Sequence, residues 1–395
     1  MLIYLDNNAS TSIAPRVASK VHEVMIGICG NPSSPHFAGE KARLIVEDAR
    51  YAVRELVGSS SHEVFFTGSG SEANTLVIST LLKRIPAHSN TMCSLIEHSS
   101  VLRSFDIYGS NTKLHALPLN LDGTVNLNEF RDKILQLKCK FVSLQWVNNE
   151  TGVVQPIDEI CNICSRNGVL LHCDASQAIG KIPIQLKAEV TFLTGTGHKF
   201  HGPQGCGFLL VHPSGPEIIP IIGGGEQESG VRPGTENVAG LAGLAEAARL
   251  RRANIESDIK MMKSLRDLFE SLVMEQIPQA RINFSGSERV CNTSSVTFLG
   301  CDGQALMHRL SDAGVACSQS SACESNSPRP SHVLKALGFS DADAFATLRF
   351  SVSPFNTSIE IEESVRVLAE IVTQQVRFFS LERDDGFESF KGAQA

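Results

Sequence analysis

The stretch VTFLTGTGHKFHGPQGCGFLLVH, residues 190–212, decides the fold. Val190 to Thr194 has the β-branched and aromatic composition of a buried strand, and Phe208 to His212 reads as a second one. Between them Thr196-Gly197-His198-Lys199, followed by Gly202, Pro203, Gly205 and Gly207, forces a tight turn, which puts Lys199 at a strand end. Working outward, Val64 to Thr67, Phe141 to Val147 and Val169 to Cys173 have the same character. Helix-like segments separate these runs between about residues 60 and 215. That alternation predicts an α/β domain around a largely parallel sheet. Open sheets of this class bind ligands outside the carboxyl ends of their strands, where several of these runs pass into glycines or polar residues.

Beyond a helix-like stretch from Glu236 to Ala253 the pattern changes. A long charged helix precedes strands near Ser295 to Leu299 and Thr347 to Ser353, and a last helix begins near Ser358. This describes a smaller α+β domain. The expected division is a large domain at 16–254, a small one from 1–15 and 255–384, and a polar tail at 385–395. The 395 residues, 42% hydrophobic and 19% charged, suit a globular chain without low-complexity runs. A net charge of −7 argues against direct nucleic-acid binding, which needs Lys and Arg to neutralise phosphates. No run is long and apolar enough to span a bilayer, and MLIYLDNNAS has neither the basic nor the apolar region of a secretory signal. A reducing, cytoplasmic location is expected. Most of the 11 cysteines are then expected to be buried free thiols, and Cys161-x-x-Cys164, flanked by Ile160 and Ile163, reads as core packing.

Lys199 has company. Asp174 ends the strand Val169 to Cys173, and Gln177 follows it closely. Thr67-Gly68-Ser69-Gly70-Ser71-Glu72 carries a strand into a helix-like segment whose first N–H groups and positive dipole end make a phosphate cradle. His98 closes a run of β-like composition and is placed to stack on a ring and move protons. A turn lysine for a Schiff base, a carboxylate to keep a pyridine nitrogen protonated, and a phosphate cradle are together what pyridoxal 5'-phosphate (PLP) requires.

Taken with YLDNNAS at 4–10, GNPSSPH at 30–36, Glu97-His98, Val147-Asn148-Asn149-Glu150-Thr151-Gly152, Asp174-Ala175-Ser176-Gln177, Gly197-His198-Lys199 and Arg232-Pro233-Gly234-Thr235, the chain resembles the cysteine desulfurases. The resemblance implies PLP enzymes of fold type I, acting as homodimers with active sites near the subunit interface, that turn L-cysteine into L-alanine. Lys199 would be the Schiff-base lysine, Asp174 the partner of the pyridine nitrogen, and His98 the ring-stacking group. Gln177 and Asn149 would contact ring or substrate. Gly70, Ser71, Thr196 and His198 would surround the phosphate, with Thr235 arriving from the other subunit. Arg349 would clamp the substrate carboxylate with its planar fork.

Cys323 lies in CSQSSACESNSP, 317–328, which has no helical or strand period and reads as a loop. A cysteine there is poorly explained by packing, and a nucleophilic thiol is the natural alternative. The long Ser-Ser-Ala-Cys loop is similar to the NifS/IscS-like subgroup, which implies an enzyme persulfide on Cys323 and sulfur transfer to an acceptor protein. Iron–sulfur assembly, tRNA thiolation and DNA phosphorothioation all remain open as destinations. Selenocysteine lyases share the same scaffold and are the alternative. Gln319, Gly70-Ser71 and Gln204 depart from the usual pattern, but none removes a reacting group. Cys317, six residues before Cys323, reads as a buried strand-end thiol.

Overall fold

The computed structural model describes residues 2–319 and 330–391, with side chains through residue 377. The larger sheet has seven strands, in the order Glu63–Thr67, Gly207–Val211, Phe192–Thr196, Leu170–Asp174, Phe141–Gln145, Asn90–Cys93 and Lys113–Ala116. Neighbours run parallel except around Gly207–Val211, which is antiparallel to both of its partners. All five expected strands are present, each end within two residues of its reading. Asn90–Cys93 and Lys113–Ala116 escaped it because they are short and mix polar with apolar residues. Phe141–Gln145 and Phe192–Thr196 are buried at every position, as strands covered on both faces must be.

Two glycines fit the sheet to its surroundings. A Cβ on Gly195 would lie 2.5 Å from the Phe208 ring, and one on Gly207 would lie 2.3 Å from the Ser69 carbonyl carbon. Bare backbone at Gly207 lets the start of helix Gly70–Arg84 come down onto the sheet. That helix opens with a capping box: the Ser69 hydroxyl accepts from Glu72 N at 3.1 Å, and the Glu72 carboxylate accepts from Gly68 N at 2.9 Å.

A second sheet, antiparallel throughout, orders Ser318–Gln319, Thr347–Ser351, Thr293–Phe298 and Ala280–Ile282. The two helices expected on either side of Ala253 are one, Val238–Gln276, because no glycine or proline follows Gly243 within it to mark a break near Ala253. It packs against helices Pro15–Gly27 and Phe37–Leu56 and against helix Ser358–Lys391. That last helix continues through most of the stretch expected to be a tail, where Gly386 is the sole residue of low helix propensity before Lys391.

The N-terminal segment ties the two sheets together. Ile3–Tyr4 pairs in parallel with Val315–Ala316, Asp6 bridges to Ser351, and Thr11 N donates to His198 O at 2.9 Å. YLDNNAS is therefore a strap laid from the small sheet to the Lys199 turn. Asn7 and Asn8 within it are buried.

Candidate active site

The strand Phe192–Thr196 ends in a single 3-10 turn, Gly197–Lys199, which aims Lys199 back over the strap. Its ammonium donates to Asn8 O at 2.6 Å and to Ala9 O at 2.8 Å. One strand over, Asp174 ends Leu170–Asp174, paired with Thr194 on one side and Gln145 on the other. Its buried carboxylate is held by two neutral donors, Asn74 Nδ2 and Ser176 N, both at 2.9 Å. Neutral donors position a buried charge without balancing it, so the site suits a cationic partner such as a protonated pyridine nitrogen.

Asn74 joins Asp174 to His98. Its Nδ2 also donates to Ser100 Oγ at 3.0 Å, and Ser100 Oγ lies 2.8 Å from His98 Nδ1. Because Ser100 N donates to the same Nδ1 at 3.1 Å, that nitrogen is an acceptor and the neutral ring carries its proton on Nε2. Burial pushes the His98 pKa down, more than Asp174 raises it, with the Lys199 and His332 charges adding to the fall. Burial, helped by Lys199 and Lys181, takes His198 down to about 4. Behind Asp174 the network continues through Thr194 to buried His172, whose ring lies between Ser143 Oγ at 2.8 Å and Thr194 Oγ1 at 3.1 Å.

The phosphate candidates meet at the start of helix Gly70–Arg84. A Cβ on Gly70 would be 3.4 Å from Ser176 Oγ and 3.5 Å from Thr196 Cβ, so the helix start faces the ends of both central strands. Ser69 caps Glu72 N, and the N–H groups of Gly70 and Ser71 have no acceptor among the described residues. A free pair of N–H groups at a positive helix end fits a phosphate. Thr196 itself spends its hydroxyl on Cys206 O at 3.2 Å. Thr235 lies apart, lining a surface hollow of about 240 Å³ with Gly68, Arg232 and Glu236.

Arg349, in Thr347–Ser351, points the small sheet at the same place. It is buried, donates to Asp6 Oδ1 at 2.7 Å and to Asn149 O at 3.0 Å, and keeps a buried Nε with no partner. Gln177 Nε2 donates to Asn8 O at 2.9 Å, and Asn149 Oδ1 accepts from Gln145 Nε2 at 3.2 Å. Cys323 lies outside the described residues. The chain leaves toward it at Gln319, which pairs with Leu348 beside Arg349. It returns at Ser331, bonded to Glu150, and His332, whose Nε2 lies 3.0 Å from Glu97 O, next to Asn149 and His98 respectively. Cys317, expected to be buried, is half-buried near Asp6, and desolvation raises its thiol to about 12. Cys161 and Cys164 are buried in helix Ile157–Arg166, their thiols raised by burial, as core packing requires.

The structure therefore brings Lys199, Asp174, His98, Gln177, Asn149, His198, Gly70, Ser71, Thr196 and Arg349 to one region. It adds Asn8, Asn74, Asp6 and Lys181, to which the sequence reading assigned no role. Asn8 stands in YLDNNAS and Asn74 one helical turn after Gly70, and these positions were the available signals.

Comparison with known proteins agrees with this geometry. Residues 3–363 match the family model for aminotransferase class-V. A cysteine desulfurase of Cereibacter sphaeroides is 37% identical over 376 residues, covering 94% of this chain and 96% of that protein. The cysteine desulfurase NifS of Azotobacter vinelandii is 34% identical over 375 residues, covering 94% and 93%. Among solved structures, a NifS-like protein from Rickettsia africae aligns with a TM-score of 0.85 at 32% identity, covering 94% of this chain and 99% of that one. A structure described as SspA in complex with cysteine aligns at 0.78 with 30% identity, covering 90% and 100%. The chain belongs to the aminotransferase class-V family, PLP-dependent enzymes of fold type I. Its curated relatives within that family carry the name cysteine desulfurase.

Proposed function

We propose that the protein is a cysteine desulfurase that releases L-alanine from L-cysteine, collects the sulfur as a persulfide on Cys323, and passes it to an acceptor protein. One observation carries the reading: both ends of the segment holding Cys323 are anchored beside the Lys199, Asp174, His98 and Arg349 cluster. The eleven residues 320–330 between those anchors give ample reach, at about 3.3–3.6 Å each.

Bound PLP would supply the electron sink that makes bonds at the substrate's Cα and Cβ labile. Lys199 Nζ would hold it, Asp174 would face its ring nitrogen, and Gly70, Ser71, Thr196 and His198 would hold its phosphate, with Thr235 serving the partner subunit of a homodimer. Arg349 binds the substrate carboxylate, and its unpartnered Nε is a donor already desolvated for that task. Lys199 Nζ, once free, takes the Cα proton, and His98 Nε2 exchanges protons on the ring face. The Cys323 thiolate attacks the substrate sulfur. An S–S bond forms as the Cβ–S bond breaks, and the bonding pair stays on carbon, which gains a proton to become the alanine methyl. Purified enzyme with PLP and L-cysteine is expected to form alanine, and Cys323→Ser to form none catalytically. Efficient turnover of L-selenocysteine with negligible alanine from L-cysteine would replace the reading by selenocysteine lyase.

A further inference from the structure

Lys181 takes no part in the chemistry above, yet it is 4% exposed beside Asn8 and Gln177 of the candidate site. Its Nζ donates to Asn8 Oδ1 at 2.9 Å and to Gln177 Oε1. Burial, and then the Lys199 charge, take its pKa down to about 7. Keeping an amine in such a place is costly, so what its donors accomplish matters.

They settle the direction of two amides. An ammonium has three donors and no acceptor, so each amide it touches must turn its oxygen inward and its NH2 away. Asn8 accordingly sends Nδ2 to Thr293 Oγ1 at 2.8 Å and Asn149 O at 3.1 Å. Gln177 sends Nε2 to Asn8 O at 2.9 Å, the same carbonyl that receives Lys199 Nζ at 2.6 Å. The two ends of a glutamine amide are nearly the same size, and only hydrogen-bond partners choose between its two orientations. With an apolar residue at 181, Gln177 Oε1 would lose its buried donor, and only the bond from Nε2 to Asn8 O would be left to hold the amide in this orientation. Even uncharged, the lysine amine keeps two N–H groups for its two oxygens.

We propose that Lys181 is a positioning residue that locks the Gln177 amide with its NH2 toward Lys199, so that Gln177 meets the bound cofactor as a donor. This rests on the reading of Gln177 as a cofactor contact. A donor at that place stabilises the anionic form of a cofactor oxygen, and so lowers the pH at which the Lys199–PLP adduct gives up its proton.

The test is the visible-absorbance pH titration of that adduct in the PLP-loaded enzyme without substrate. His98, His198, Asp174 and Arg349, the other titratable or charged groups around it, are unchanged in every variant. Lys181→Met is expected to shift the midpoint up by about one unit, the size of one lost hydrogen bond to a charged group. Lys181→Arg, which keeps the donors, is expected to return toward the wild-type value. Gln177→Ala is expected to shift the midpoint like Lys181→Met, and the double variant to shift it no further. If Gln177→Ala shifts the titration and Lys181→Met does not, the lock is wrong and the cofactor contact stands. If neither shifts it, the Gln177 contact itself fails. Additive shifts in the double variant would mean that Lys181 acts through its own charge, which overturns positioning. Should Lys181→Met not fold, Lys181→Leu, which likewise carries no donor, is expected to move the midpoint the same way, and a wild-type titration there overturns the lock.

Discussion

At the scale of single residues, each charge of the site has fixed partners: Asp174 is held by neutral donors, and Arg349 by Asp6 and the Asn149 carbonyl. Arg349 shows the consequence most simply. Its guanidinium is already desolvated and aligned by Asp6 and Asn149 O, so in the proposed reaction a substrate carboxylate would meet a preorganised fork. Arg349→Gln is expected to lower kcat/KM for L-cysteine by roughly 30-fold or more, mostly through KM, as loss of one partner from a buried charge pair implies. Unchanged steady-state kinetics would remove Arg349 from the substrate site. Lys199, Asp174 and His98 were legible because each ends a strand-like run, where ligands of α/β sheets gather. Asn8 and Lys181 were not. Their bond to each other spans 173 positions of sequence, and nothing local to either residue names its partner.

At the scale of elements, the cradle depends on how closely a helix can approach a sheet. Gly207 makes that approach, since a Cβ there would fall 2.3 Å from the Ser69 backbone. Gly207→Ala is expected to push out the turn that starts helix Gly70–Arg84, weakening PLP binding while leaving most of the sheet intact. Equilibrium cofactor titration with circular dichroism checks this, and wild-type affinity would contradict it. The central strands were readable from composition because they are buried on both faces. The strap was not, because 3–11 has only one two-residue strand and is held by side chains and single bridges to distant strands. The last helix was read too short for a related reason. Polar, charged residues suit an exposed helix as well as a tail, and sequence alone does not separate them.

At the scale of the molecule, acid should loosen the fold before it attacks any single ion pair. His198 and His201 are held at about 4 by burial first, and His172 is also pushed down. Unfolded, each takes a proton near 6.5; folded, none does until well below that. The unfolded chain thus binds more protons between roughly pH 6.5 and 4, so stability is present above that window and is lost as the pH falls through it. Thermal unfolding of the cofactor-free protein is expected to show a falling Tm across the window, and a flat Tm would mean these rings are solvated. The arrangement of the whole molecule supports the proposed reaction. The large sheet and its loops carry Lys199, Asp174 and His98, the small sheet carries Arg349 and the outgoing anchor of the Cys323 segment, the return anchor rests on Glu150 and Glu97, and the strap joins the two sheets. The most direct measurement is one turnover with sulfur-labelled L-cysteine, quenched by alkylation and mapped by peptide mass spectrometry. Stoichiometric alanine with the label on Cys323 is expected, whereas first-turnover label on Cys317, or alanine without any enzyme-bound sulfur, would contradict the assignment.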